Sequence, residues 1–190
     1  MNSNTGSTKQ KIGDNSNFML KIRTLILGEE TPDMFTRITF NILLGIWSIL
    51  ISWNILSVIV IKFSEIIEEN KGISVKEILI KKGKQLGFEG VDFIGIIENF
   101  YILSIFLFFV ILIGLILLYR KSSLYAPFFF GGFLFYLISL IFLVGFQFLI
   151  EDVSTFDKIL LAFMFVLGLI HYTLMIKEKN DLLDQSGETE

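Results

Sequence analysis

Residues 38–61 read ITFNILLGIWSILISWNILSVIVI, and this stretch decides the fold. None of its 24 residues is charged, whereas Arg37 and Lys62 flank it directly. A helix of this length, at ~1.5 Å per residue, is about 36 Å long, and the hydrocarbon core of a bilayer is roughly 30 Å thick. We therefore predict a first membrane-spanning helix over residues 38–61.

Three further uncharged or nearly uncharged runs follow, at residues 100–119, 126–150 and 159–176. The last run is bracketed by Lys158 and Lys177, as expected for a helix that ends at two membrane surfaces. A soluble helical bundle with buried helices is the alternative. Buried helices of soluble proteins seldom run so far without a charge, so four such runs favour the membrane.

The composition agrees with a membrane environment. Of the 190 residues, 53% are hydrophobic and only 18% are charged, whereas soluble domains carry about a quarter charged residues. We predict an all-α fold, an integral membrane four-helix bundle with short amphipathic interfacial segments, whose four-span domain covers residues 37–177. The lipid bilayer is the expected partner, and a net charge of −3 does not indicate nucleic acid.

Polar or mixed segments flank this domain. Residues 1–17 are almost free of apolar side chains and are predicted to be a disordered tail, and residues 178–190 to be a frayed acidic tail. Residues 18–36 combine apolar and basic residues, which is typical of an interfacial segment. We expect Thr31 to cap the first helix and Pro32 to occupy its first position.

The loop between the first two spans has its own pattern. Ser74 and Glu77 have the spacing of a capping box, and apolar residues recur at helical spacing over residues 75–86. This pattern predicts an amphipathic helix, with a disordered loop as the alternative. Gly72 is expected to end the helix before it, and residues 91–97 to begin the next helix early.

The distribution of basic residues favours cytoplasmic N- and C-termini. With both termini inside, nine Lys and Arg residues are cytoplasmic and seven are on the opposite side. The link after the second span contains Arg120 and Lys121 without acids, while the link before the fourth span is acidic. We expect an integral protein of the plasma (inner) membrane with this orientation.

Polar and small residues within the spans are the candidate functional positions. Asn41, Gly45, Ser48 and Ser52 are spaced to share one face of the first span. Such a stripe is typical of a helix-packing face, and a pore-lining face has the same pattern.

Other candidates lie in later spans. Gly132, Tyr136 and Ser139 align on one face of the third span, and His171 is an ionisable residue inside the fourth. Structural packing is the favoured interpretation of both, and a proton relay or ligand contact is the alternative for His171. Asp92 and Glu98, before the second span, are candidates for a mouth that attracts cations.

No catalytic motif is present in the sequence. It lacks a glycine-rich phosphate loop, a nucleophile elbow, a histidine cluster and a pair of intramembrane carboxylates, and it has no cysteine. We therefore predict no enzyme, no cofactor and no metal site. The leading hypothesis is a non-enzymatic structural or accessory subunit of a multi-protein membrane complex, with other membrane subunits or a second copy as partners. The alternatives are a homo-oligomeric ion or small-solute channel or transporter, and a small membrane regulator or immunity-type protein.

Overall fold

The computed structural model describes Thr24, Gly28 and residues 32–187, and these residues contain helices and no strand. The predicted tail at 1–17 and most of the predicted interfacial segment at 18–36 lie outside the described residues. We number the helices from Met34 onward. They are α1 (Met34–Lys62), α2 (Ser64–Lys71), α3 (Val75–Gln85), α4 (Gly90–Tyr119), α5 (Tyr125–Leu143), α6 (Phe146–Glu151) and α7 (Thr155–Gly187).

Four of these helices, α1, α4, α5 and α7, are long and apolar enough to cross a membrane. The prediction of an all-helical chain with four such helices is confirmed. α7 is longer than the predicted span and continues as helix to Gly187, beyond the residue at which the frayed tail was expected to begin.

The start of α1 differs from the prediction. Pro32 and Asp33 precede the helix, and the Asp33 carboxylate accepts a hydrogen bond from the Thr36 backbone N–H at 3.1 Å. Asp33 is therefore the N-cap, because its side chain reaches an amide that has no partner within the helix. Thr31, the predicted cap, lies outside the described residues.

The loop after α1 is largely helical. α1 ends at Lys62, and after Phe63 the short helix α2 runs to Gly72, whose left-handed conformation (φ 65°) ends it as predicted. The Ser74 hydroxyl then caps α3 by accepting from the Glu77 N–H at 3.4 Å. α3 lies against α4, where a Cβ on Gly83 would approach Phe93 Cβ to 2.5 Å. The absent side chain thus permits close contact between the two helices.

The predicted continuous span over 126–150 is interrupted. α5 ends at Leu143, and Gly145 adopts φ 105° before α6 begins. Glycine has no Cβ and so takes this conformation readily, and an α-helix cannot continue through it. The glycine pair Gly131–Gly132, by contrast, lies within the continuous helix α5.

The four long helices contact one another in a ring, in the order α1, α4, α5, α7 and back to α1. Phe129 of α5 is central to the interior, where it lies between two glycines. A Cβ on Gly114 of α4 would lie 2.7 Å from the Phe129 nitrogen, and a Cβ on Gly168 of α7 would collide with the Phe129 ring. The interior is filled by side chains at most 1% exposed, among them Leu43, Phe108, Ile111, Leu115, Phe129, Leu140 and Met164.

Candidate functional site

The two ends of the ring carry different polar groups. At one end, which we call the Lys121 end, Asp33, Lys121 and Glu178 meet. At the other, which we call the Lys82 end, Lys82 of α3 pairs with Asp152, which follows α6, at 2.7 Å. The Lys121 end contains the histidine that the sequence analysis singled out.

His171 of α7 lies inside the bundle beside the first turn of α1. Its side chain is 2% exposed, and its Nε2 is 3.1 Å from the Thr36 hydroxyl oxygen. That hydroxyl is in turn 2.7 Å from Asp33 Oδ1. The ring of Phe35 stacks on the imidazole with centroids 5.9 Å apart.

These contacts determine which imidazole nitrogen carries hydrogen. An ionised carboxylate only accepts hydrogen bonds, so the Thr36 hydroxyl donates its single hydrogen to Asp33. The Thr36 oxygen must then accept from His171, and Nε2 is the protonated nitrogen. The other nitrogen, Nδ1, is buried and has no hydrogen-bond partner. Two hydrogen bonds therefore run in one direction, from His171 to Thr36 and from Thr36 to Asp33, and His171 is their innermost donor.

Lys121 extends this hydrogen-bond network from Asp33, and its backbone conformation is unusual. It follows α4 with φ 51°, in the left-handed region that costs a residue other than glycine about 1–2 kcal/mol. Its N–H donates to the Leu118 carbonyl and the Ser122 N–H donates to the Leu117 carbonyl, both at 2.9 Å, which is the Schellman pattern of a helix end. The side chain extends between two carboxylates, 3.0 Å from Asp33 Oδ1 and 3.1 Å from Glu178 Oε2.

The electrostatics follow from these bonds. Burial alone would raise the pKa of Asp33, but hydrogen bonds from Thr36 and Lys121 outweigh it and hold this pKa well below its ordinary value. Burial alone would lower the pKa of Lys121, but its bonds to Asp33 and Glu178 raise it overall. Asp33 and Lys121 thus both stay charged around neutral pH. Because the paired side chains, Glu178 included, are 34–59% exposed, each pair contributes no more than about 1 kcal/mol.

The Lys121 end therefore connects segments that are distant in sequence. Asp33 caps α1, Lys121 follows α4, and Glu178 lies on α7. A cleft of about 330 Å³ lies among these residues, lined also by His171 and Met175. Since the Thr36 hydroxyl donates to Asp33 rather than to the imidazole, His171 does not act as a base toward it in this arrangement. The described residues contain no group of three His, Cys, Asp or Glu able to hold a metal ion.

The α1 stripe faces away from the ring. Asn41, Gly45, Ser48 and Ser52 are all exposed, and a Cβ on Gly45 would have no neighbour within 4 Å. The Ser48 hydroxyl donates to the carbonyl of Leu44 in its own helix at 2.8 Å. No other helix in the described part of the chain covers this face.

The polar and small face predicted for the third span lies in the contact between α5 and α4. Gly132 and Tyr136 are buried, and Ser139 is half-buried. A Cβ on Gly132 would lie 2.9 Å from a side-chain carbon of Ile111, and the Tyr136 ring centroid is 5.3 Å from that of Phe108. These residues take part in the contact between α5 and α4.

Asp92 and Glu98 occupy separate positions on α4. Asp92 is exposed, whereas Glu98 is half-buried and pairs with Lys62 at the end of α1. Lys62 therefore compensates the charge of Glu98, and the two carboxylates do not face each other, because six residues on a helix correspond to about 240° of rotation.

Sequence reasoning did not find the network at the Lys121 end. Lys121 was noted only as a basic residue near a span end, Glu178 only as the start of an acidic tail, and Thr36 not at all. The one available signal was local: Asp33 lies three residues before Thr36, the spacing of a capping side chain.

Comparison of the chain with protein-family models, with curated proteins and with solved structures finds no match. The contacts described above are therefore the basis for a functional proposal. The two features that stand out are the directional network at the Lys121 end and the uncovered polar stripe on α1.

Proposed function

We propose that the chain is an integral membrane protein that crosses the bilayer through α1, α4, α5 and α7 and serves as a non-enzymatic accessory subunit of a membrane complex. The support for membrane insertion is the outward surface of these helices. Only 22–39% of each apolar window is buried within the chain. Large apolar side chains such as Phe106, Phe135 and Phe142 are 60–86% exposed, and hydrocarbon accommodates such a surface at no cost whereas water does not.

The charges at the two ends support cytoplasmic termini in a plasma (inner) membrane. Arg37, Arg120, Lys177 and Lys179 are exposed near the Lys121 end and form no ion pair with another described residue. At the Lys82 end, Lys62 and Lys82 are paired with carboxylates, while Lys71, Lys81, Lys84 and Lys158 likewise form no ion pair with a described residue. The orientation therefore rests on the number of basic residues near span ends, nine with both termini in the cytoplasm against seven on the opposite side.

The observation that carries the subunit role is the uncovered stripe on α1. Asn41 and Ser52 have no hydrogen-bond partner among the described residues, and both lie on the exposed side of an apolar helix. Facing lipid, such groups are costly, whereas bonds across a helix interface contribute on the order of 0.6–2 kcal/mol each. Gly45, between them, permits close approach of a neighbouring backbone. A transmembrane helix of another protein, with small or polar residues on its contact face, fits this stripe.

The experiment is purification of the tagged chain from its native membranes in a mild detergent. We expect a stoichiometric partner with the wild type and its loss in the double variant Gly45→Leu/Ser52→Leu, which blocks close approach along the stripe. Gly95→Leu adds the same bulk at an exposed position of α4 with no neighbour within 4 Å, so this control retains the partner. A wild type that runs as a stable monomer without a partner contradicts the proposal, as does equal loss in all variants.

The same stripe supports a second candidate, a homo-oligomeric channel or small-solute transporter. Copies arranged with their α1 stripes inward would line a shared path with Asn41, Ser48 and Ser52. His171 does not lie on that path, because it is 2% exposed and faces Thr36 on another side of α1. Flux in liposomes that is lost in an Asn41→Leu/Ser52→Leu variant favours this candidate, and unchanged flux removes its basis. If the chain instead forms a complex with a single membrane protein and inhibits the activity of that protein, the result would indicate a regulator or immunity-type role.

A further inference from the structure

A second polar site, distinct from the network at the Lys121 end, lies at the Lys82 end of the bundle. It is a partly open cavity of about 110 Å³ lined by residues of α1, α4, α5, α6 and the start of α7. All of its walls come from this chain, so the inference below does not depend on the subunit proposal. Its walls combine two kinds of side chain, aromatic rings and hydrogen-bond acceptors.

Five aromatic residues contribute to the wall. The ring centroid of Phe100 is 5.4 Å from that of Tyr101 and 6.0 Å from that of Tyr136, so three rings from two helices form one continuous surface. Aromatic faces carry negative charge density and attract cations, most strongly in a site removed from water. The five are Trp53, Phe100, Tyr101, Tyr136 and Phe148.

Two carboxylates lie in the same wall. Asp152 uses Oδ1 for its pair with Lys82, at 2.7 Å, while its Oδ2 is buried without a hydrogen-bond partner. Asp157 lines the cavity and forms no ion pair within the described part of the chain. Lys82, which lies outside the wall, compensates the charge of Asp152. The charge of Asp157 therefore leaves one uncompensated negative charge in the wall.

Two further polar groups on the wall have hydrogen-bonding capacity that no described residue uses. Asn54, 5% exposed, donates through Nδ2 to the Leu50 carbonyl at 2.8 Å, and its oxygen has no partner among residues 32–187. Tyr136, 7% exposed, has a hydroxyl that likewise makes no hydrogen bond within this range. Both residues line the cavity. Among the described atoms of this wall, Asp152 Oδ2 is the one buried without a partner. Such an atom costs about 1–3 kcal/mol, and a ligand that donates hydrogen bonds or carries positive charge would compensate it.

The break between α5 and α6 forms this wall. The chain changes direction at Gly145, and α6 and the turn after it bring Phe148 and Asp152 to the cavity. A straight continuation of α5 would carry both residues away along the helix axis. Non-helical backbone within a bundle of apolar helices is typical of positions that line a cavity.

We propose that this cavity binds a small monovalent organic ammonium ion. The aromatic faces and the single excess negative charge match one delocalised positive charge. The described residues contain no cluster of three potential metal ligands, which argues against a metal ion as the occupant. The cavity opens on one side, so it can admit an ion about as large as benzene, which fills a fully closed apolar cavity of about 150 Å³.

The test is titration of tetramethylammonium into the full-length protein in nanodiscs, followed through tryptophan fluorescence because Trp53 is part of the wall. We expect a saturable change with tetramethylammonium chloride at constant ionic strength. tert-Butanol, which is similar in shape but uncharged, should produce none. No saturable change up to 100 mM, or an equal response to tert-butanol, overturns the proposal.

Variants locate the site. Asp157→Asn should weaken tetramethylammonium binding at least tenfold, while Asp92→Asn, at an exposed position of α4 outside the cavity, should leave it unchanged. Should Asp157→Asn not fold, as judged by circular dichroism and gel filtration, Phe148→Leu takes its place, with an expected loss of about three- to thirtyfold. Binding by the folded variant that equals the wild type overturns the assignment.

Discussion

The Lys121 end and the Lys82 end use similar residues with opposite results. At the Lys121 end, each carboxylate has a donor: Thr36 and Lys121 donate to Asp33, and Lys121 also donates to Glu178. At the Lys82 end, Asp152 is only half-satisfied and Asp157 has no ion pair among the described residues. Compensated charges hold helix ends in place, whereas uncompensated charges beside aromatic rings constitute a binding surface. The difference teaches that the arrangement of partners, rather than the number of charges, separates a structural end from a candidate ligand site.

The largest expected effect comes from a change in the interior that both ends share. Gly114→Ala places a Cβ 2.7 Å from the Phe129 backbone, so α4 and α5 must separate. Overpacking of this kind costs about 1–3 kcal/mol. We expect a lower melting temperature in detergent together with loss of tetramethylammonium binding. Gly131→Ala is the control, since its Cβ has no neighbour within 4 Å, and equal melting temperatures for the two variants would contradict the packing described.

A smaller effect should come from breaking the Lys121 end alone. Thr36→Val removes the hydroxyl that connects His171 to Asp33 and leaves a buried N–H without an acceptor, at a cost of about 1–2 kcal/mol. Thr173→Val is the matched control, because that exposed hydroxyl bonds only to the Ile170 carbonyl of its own helix. Denaturant titration should show a loss for the first variant only, with tetramethylammonium binding intact in both. Weakened binding in Thr36→Val would mean that the two ends are not independent.

A fall in pH should reduce the stability that the Asp33 carboxylate contributes at the Lys121 end. The pKa of Asp33 is lower in the folded chain than in the unfolded chain, so its carboxylate stabilises the fold above about pH 4. This contribution is lost as the pH falls from about 4 toward the folded-state pKa. Because Asp33 is 45% exposed, we expect at most about 1 kcal/mol. The difference in melting temperature between the wild type and Asp33→Asn should be smaller at pH 3 than at pH 6, and a constant difference would exclude this role for the charge.

The smallest effect is expected at Lys121 itself. Lys121→Gly relieves the left-handed backbone, a gain of about 1–2 kcal/mol, and removes two exposed ion pairs of about 0–1 kcal/mol each. The two contributions nearly cancel. We expect a melting temperature close to that of the wild type, with a weaker dependence on salt between 50 and 500 mM. A large destabilisation would show that the ion pairs are stronger than their exposure suggests.

Sequence reasoning performed unevenly across these regions. Gly72 and Ser74 ended and began helices as predicted, because caps depend on neighbours a few residues away. Gly145 was placed inside a continuous span, because the hydropathy around it does not change and only its backbone conformation marks the break. Gly114 carried no pattern at all. Its role depends on Phe129, which approaches it from another helix.

The candidate sites show the same division. The α1 stripe was recognised from spacing alone, but its direction was not, because periodicity defines a face without saying what covers it. Asn54, which lies on the same helix, lines the cavity at the Lys82 end. The surroundings of Asp152 and Asp157 could not be predicted, since Lys82 comes from α3 and the other residues of the cavity wall come from α1, α4, α5 and α6.

The sequence by itself determined that the chain forms four long apolar helices with short polar connections. Hydropathy and helix capping are properties of contiguous residues, so they can be read along the chain. Only the tertiary structure decided which face of α1 is uncovered, which nitrogen of His171 carries hydrogen, and which carboxylates remain without partners. Each of these depends on contacts between distant segments, and the geometry of such contacts exists only after the helices have packed.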